Sequence, residues 1–149
     1  MRPDRHSLRL IHSQLHGICS NSRYTRLAGE SLTAHAPVAA LRELERAAVV
    51  ALGWLEREFG AQESWFSRLM QNALAPPSPL DMQILRGGRP FLLIHAQLQA
   101  IRSNSRYVRL AGEATSGRPA ISELLELELA ADRAVEWFER EFGSEERRT

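Results

Sequence analysis

One stretch of eleven residues occurs twice in this chain of 149 residues, and it constrains the fold more than any other feature of the sequence. Residues 20–30 read SNSRYTRLAGE and residues 103–113 read SNSRYVRLAGE, so ten of the eleven positions are identical. The match continues on both sides at a constant offset of 83 residues, without a gap. A unit of this size buries too little surface to be secure alone. We therefore predict two copies that pack together about a pseudo-two-fold axis, as a symmetric dimer would.

The repeat sets the predicted domain boundaries. We expect a helical repeat over 5–66, a linker over 67–87 and a second helical repeat over 88–149. A short helix is predicted over 65–74, and the proline-rich run 75–79 that follows it predicts a stiff connection.

Each repeat is predicted to form a helix, a break, a short helix and a long helix. The first helix has one apolar seam with 3-4-3 spacing. Asn21 or Ser22 would then cap a short second helix that begins at Arg23, with the same arrangement in the second copy. The seam consists of Leu8, Ile11, Leu15 and Ile18, matched by Phe91, Ile94, Leu98 and Ile101.

The long third helix is predicted over 37–59 and again over 121–142. Gly60 and Gly143 would take the left-handed position that closes each helix. The apolar residues of this helix cover a wide arc, as expected for a helix that packs on two neighbours. The predicted fold is an all-α bundle of six main helices with a linker helix.

Composition excludes several classes of protein. The net charge of +1 provides no general attraction to nucleic acid or to an anionic membrane. Cys19 is the only cysteine, which excludes an internal disulfide framework and is compatible with the cytoplasm. No apolar run in the sequence resembles a signal peptide or a membrane span. All 19 basic residues are arginine, which is typical of a GC-rich bacterial genome.

The repeated block contains the main candidate site. Arg23 and Arg26 would lie three residues apart on one helical turn beside Tyr24, an arrangement that suits a phosphate or an acidic partner. Alternatively, the arginines pair internally with glutamates of the long helix, since the basic and acidic halves of each repeat balance. Glu45 interrupts an apolar arc and would need such a partner. The equivalent residues in the second copy are Arg106, Tyr107, Arg109 and Glu128.

Aromatic and histidine side chains give two further candidates. Trp54 and Trp137 lie at the edge of the apolar arc, either as peripheral core or as anchors on a binding face. His12 and His95 are the histidines present in both copies, and with Glu45 and Glu128 they could form a metal site. Neither repeat has the Glu-x-x-His pair of such sites, so a packing role is favoured and no cofactor or metal is predicted.

The sequence contains no glycine-rich phosphate loop, no Cys/His metal spacing and no Gly-x-Ser-x-Gly motif. Ser20 or Ser22 could act as a nucleophile with His12 as its base, but no third residue is placed to orient the histidine. We therefore predict that the protein is not an enzyme. We expect a small interaction protein, acting as an adaptor, inhibitor or regulator, that presents two equivalent Arg/Tyr surfaces to a protein partner as a monomer or homodimer. The alternative is a nucleic-acid-binding regulator built from two helix-turn-helix-like units, although the near-zero net charge does not favour it.

Overall fold

The computed structural model describes residues 5–34, 36–59 and 90–148. These residues form four α-helices, which are α1 (Arg5–Leu32), α2 (Ala39–Phe59), α3 (Pro90–Ser116) and α4 (Ser122–Arg148), and no strand occurs among them. The prediction of an all-α bundle is therefore confirmed. None of these four helices has an apolar stretch long enough to cross a bilayer.

The predicted break at the repeated block is wrong. Both copies of the block lie inside long, uninterrupted helices, α1 and α3. The Ser22 hydroxyl donates a hydrogen bond of 2.6 Å to the carbonyl of Ile18, one turn earlier in its own helix, and Ser105 donates to Ile101 at 2.7 Å. A serine side chain that is satisfied in this way does not need to end a helix. The two helices predicted on either side of the break are thus one helix.

Two further predictions concern helix ends. Gly143 does not close the last helix, because α4 continues through it to Arg148. Gly60, the predicted helix over 65–74 and the proline-rich run lie outside the described residues. The break predicted after the second block does occur, since α3 ends at Ser116 and Gly117 adopts a φ of 68°.

The four helices form a closed arrangement in which α1 packs against α2 and α3, and α4 packs against the same two helices. The predicted seams form its centre, since Ile11, Leu15 and Ile18 and their equivalents Ile94, Leu98 and Ile101 are almost completely buried. Leu8 and Phe91, the first members of the two seams, are half-buried and pack against this core. The apolar arcs of α2 and α4 are buried as well, which confirms that each faces two neighbours. These arcs comprise Val38, Leu41, Leu44, Ala48, Ala51, Leu52 and Leu55, with Ile121, Leu124, Leu127, Ala131, Ala134, Val135 and Phe138.

Gly29 and Gly112, the glycines of the repeated block, lie where two helices come closest. A Cβ atom on Gly112 would stand 2.6 Å from Cδ1 of Leu124, and one on Gly29 would meet Cδ1 of Leu41 at least as closely. Both leucines are fully buried, so they have little room to move away. These glycines are therefore required for close helix packing.

Two glycine-to-alanine substitutions in the same helix are expected to have opposite effects. Gly29→Ala should lower the free energy of unfolding by about 1–2 kcal/mol, because overpacking against Leu41 outweighs the higher helix propensity of alanine. Gly17→Ala should raise it by about 0.5–1 kcal/mol, because a Cβ there meets nothing within 4 Å. Urea unfolding followed by circular dichroism measures both. Equal changes in the free energy of unfolding at the two positions would contradict the close approach of Gly29 to Leu41.

Candidate partner-binding face

The second arginine of each block, Arg26 or Arg109, forms an ion pair within the bundle. The Arg26 Nε donates to Glu45 Oε2 at 2.6 Å, and its Nη1 lies 3.4 Å from Glu30 Oε1. These side chains are only 11–16% exposed. In the second copy Arg109 pairs with Glu128 and Glu113 in the same way. The predicted ion pair between the block and the glutamate on the long helix is therefore confirmed.

The ion pairs shift the pKa of their members. Burial lowers the pKa of Arg26, but the hydrogen bonds and the charges of Glu45 and Glu30 outweigh burial, so the net pKa is raised. The hydrogen bond to Glu128 is the main cause of the raised pKa of Arg109. Both arginines stay charged and are engaged within the bundle.

Glu30 links the block to the start of the next helix. It accepts hydrogen bonds from Arg42 Nε at 2.8 Å and from the backbone N–H of Val38 at 3.0 Å. Burial raises the pKa of Glu30. These hydrogen bonds and the charges of Arg42 and Arg26 lower the pKa by more than burial raises it, so the net pKa lies below its ordinary value. Its contribution to stability is therefore complete above the unfolded-state pKa and is lost as the pH falls through the lowered one.

The two histidines present in both copies contact glutamates on the long helices, but not the glutamates that the sequence suggested. His12 Nε2 lies 3.4 Å from Glu56, and His95 Nε2 lies 3.3 Å from Glu139, whereas the sequence suggested Glu45 and Glu128 as neighbours. Among the described side chains, no three of the types His, Cys, Asp and Glu are placed to hold a metal ion.

Cys19 and Ser22, one of the two serines considered as a nucleophile, are both enclosed, whereas Ser20 is exposed. Burial is the main cause that raises the pKa of the Cys19 thiol to about 12, and the charges of Glu45 and Glu56 add to it. The thiol is therefore protonated at neutral pH. Ser22 is fully buried, and its hydroxyl is engaged with the Ile18 carbonyl.

The two tryptophans take packing positions. Trp54 is 3% exposed and belongs to the core, with its ring near Gly112 of α3. Trp137 is half-buried and packs edge-on against Phe138 and Phe142, with its ring near Gly29 of α1. Each tryptophan thus reaches the block of the other copy. This position favours the peripheral-core interpretation over that of a binding anchor.

The two copies of the block differ in exposure, whereas the sequence predicts equivalent surfaces. Tyr24 is half-buried and packs against the core. Tyr107, the same residue of the second copy, is 45% exposed, and Leu110, one turn further along α3, is 50% exposed. Arg106, next to Tyr107 in the chain, is exposed and has no ion-pair or hydrogen-bond partner in the part of the chain that the structure describes. We call Arg106, Tyr107 and Leu110 the α3 face.

Two exposed residues on α4, Leu125 and Leu129, were missed by the sequence reasoning. Aligning the copies gives the signal that could have found them, since Arg42 and Arg46 occupy the equivalent positions. A leucine in the place of a charged surface residue marks a position where the copies have different roles.

Comparison with protein-family models, with curated proteins and with solved structures finds no match for this chain.

Proposed function

We propose that this protein is a non-enzymatic interaction protein that binds a partner protein through the α3 face. The observation that carries this proposal is the exposure of Tyr107 and Leu110 beside the available guanidinium of Arg106. Tyrosine and arginine are the residue types that most often dominate the energy of protein interfaces. The exposed guanidinium favours a carboxylate on the partner. The protein would act by occupancy, as an adaptor, inhibitor or regulator in the bacterial cytoplasm.

The proposal also includes the origin of the bundle. We infer that a two-helix unit was duplicated in tandem and that its copies pack about a pseudo-two-fold axis. The constant offset of 83 residues supports this inference, and so do the matching ion pairs of Arg26 and Arg109. The matching contacts of His12 and His95 add further support.

The difference in exposure changes the expected valency. Since Tyr24 packs against the core while Tyr107 is exposed, one chain should offer one binding face rather than two. We therefore expect one partner molecule to bind per chain, without avidity within a single chain.

The test is capture of a partner from a lysate of the bacterium that encodes the protein, with and without nuclease. The variant Arg106→Glu/Tyr107→Ala should bind the captured protein at least about tenfold more weakly, because it removes an anchor and reverses a charge. Arg140→Glu, an exposed arginine on α4, is the matched control and should bind like the wild type. Titration calorimetry with the purified partner then measures affinity and stoichiometry.

The variant should fold normally, because Arg106 and Tyr107 are both exposed. Unchanged binding by a folded Arg106→Glu/Tyr107→Ala variant would refute the α3 face as the site. Capture that disappears with nuclease would instead support the nucleic-acid-binding alternative, and that binding should weaken steeply with salt.

A further inference from the structure

The outer surface of α4 carries two exposed leucines one helical turn apart. Leu125 is 39% exposed and Leu129 is 42% exposed. At the equivalent positions of the first copy, Arg42 and Arg46 each form an ion pair with a nearby glutamate. The second copy therefore has apolar surface where the first copy has paired charges. We call Leu125, Glu126, Leu129 and Arg133 the α4 face.

The charges of the α4 face lie on either side of Leu129 along the helix. Glu126 and Arg133 are seven residues apart, or about 10 Å along the helix, so they lie on the same edge of α4. Leu129 lies between them, three residues after Glu126 and four before Arg133. Both charged side chains are exposed, and neither has an ion-pair partner among residues 5–34, 36–59 and 90–148.

We propose that the α4 face binds the α4 face of a second copy of the chain, with the two α4 helices antiparallel about a two-fold axis close to Leu129. A two-fold axis makes an interface self-complementary, because residue i contacts j and j contacts i. Glu126 of each chain then meets Arg133 of the other, which forms two ion pairs. Leu129 of each chain lies beside the axis next to Leu129 of the other, and Leu125 lies at the edge of the contact.

The chemistry of the face favours a second copy over an unrelated partner. A surface with an acidic group on one side of an apolar residue and a basic group on the other is complementary to itself in the antiparallel orientation. The stripe continues into Asp132 and Glu136, so its apolar part is short. The dimer is therefore expected to dissociate in the micromolar range, as small interfaces do.

The dimer would present two α3 faces in one particle, one from each chain. This arrangement would provide the divalency that the duplicated block suggests but that a single chain lacks, because Tyr24 packs against the core. The dimer does not require the partner of the α3 face. An experiment that finds no dimer would therefore leave the proposed binding by the α3 face untouched, and loss of that binding would leave the dimer untouched.

Sedimentation velocity of the full chain tests the proposal. The wild type should change from monomer to dimer as its concentration rises from about 1 µM to about 1 mM, the range over which small interfaces form. Leu125→Arg/Leu129→Arg should remain monomeric while keeping its helicity and melting temperature, because arginine stands at both equivalent positions of the first copy. Leu10→Arg is the matched control and should dimerise normally; Leu10 is 41% exposed on α1, which packs against α2 and α3.

A charge swap tests the orientation of the two chains. Glu126→Arg alone and Arg133→Glu alone each place like charges together, so each should weaken the dimer by about tenfold or more. The double variant Glu126→Arg/Arg133→Glu restores opposite charges and should return to near wild-type affinity. The α4 face would be refuted by a wild type that is monomeric throughout, by a dimer that survives the leucine changes, or by a double variant no tighter than the single variants.

Discussion

Replacing Ser20 with proline is expected to lower the free energy of unfolding by about 3 kcal/mol or more, because proline in a helix interior removes a backbone hydrogen bond and clashes with the preceding turn. Ser20 lies in the middle of α1, and its side chain is exposed. The substitution therefore affects the backbone and not the core. Ser103→Pro should have a similar effect, because Ser103 occupies the same place in α3.

Ser20→Ala is the control for the loss of the hydroxyl. Alanine should be neutral or slightly stabilising, because its helix propensity exceeds that of serine. Thermal and urea unfolding followed by circular dichroism measure both variants. If the chain were broken at residues 20–22, as the sequence suggested, proline would lie just before a helix and would be tolerated. A Ser20→Pro variant as stable as Ser20→Ala would therefore contradict a continuous α1.

Arg26→Ala is expected to lower the free energy of unfolding by about 2–3 kcal/mol, which corresponds to a fall in melting temperature of about 5–10 °C. The substitution leaves the carboxylate of Glu45, only 12% exposed, without its hydrogen bond of 2.6 Å. Glu30 loses a second contact but keeps Arg42. Most of the effect should therefore come from the desolvated Glu45.

A double variant separates the cost of a stranded charge from the value of the ion pair. Arg26→Met/Glu45→Met replaces both charges with apolar side chains of similar length and should recover most of the lost stability. Arg46→Ala is the surface control, since the pair of Arg46 and Glu43 is 72% and 55% exposed, and should change stability by less than about 0.5 kcal/mol. An Arg26→Ala variant that unfolds like Arg46→Ala would show that the ion pair is not structural.

In each repeat one of these ion pairs joins the basic first half to the acidic second half. Arg26 and Arg109 lie on the first helix of each copy, and their carboxylate partners Glu45 and Glu128 lie on the second. The charged groups thus pair across the contact between the two helices of a unit. Arginines that take part in such pairs are engaged within the bundle. A partner would instead meet arginines that are not in these pairs, such as the exposed Arg106.

The helical faces could be predicted from the sequence because the spacing of apolar residues is a local property. The 3-4-3 seam of the first helix and the wide arc of the long helix both predicted burial correctly, as the enclosure of Leu15 and Leu52 shows. The need of Glu45 for a basic partner could also be predicted, because a carboxylate in an apolar arc is costly without one. These inferences depend on residues within one helix and on general energetics.

The helix break was not predictable in this way, because a serine can either cap a new helix or hydrogen-bond to the preceding turn of its own. The choice at Ser22 depended on packing, since in the bundle this side chain is fully buried against neighbouring helices. Local sequence patterns describe both options equally well.

The sequence by itself determined the helical class, the buried faces and the presence of an ion pair between the block and the long helix, since each follows from the spacing and polarity of residues along one chain. Only the tertiary structure decided that Arg26 pairs with Glu45, and that Tyr107 is exposed while Tyr24 packs against the core. The two blocks differ at one position, so their own residues cannot account for this difference. It arises from what surrounds each block, because exposure is a property of neighbours brought together by folding.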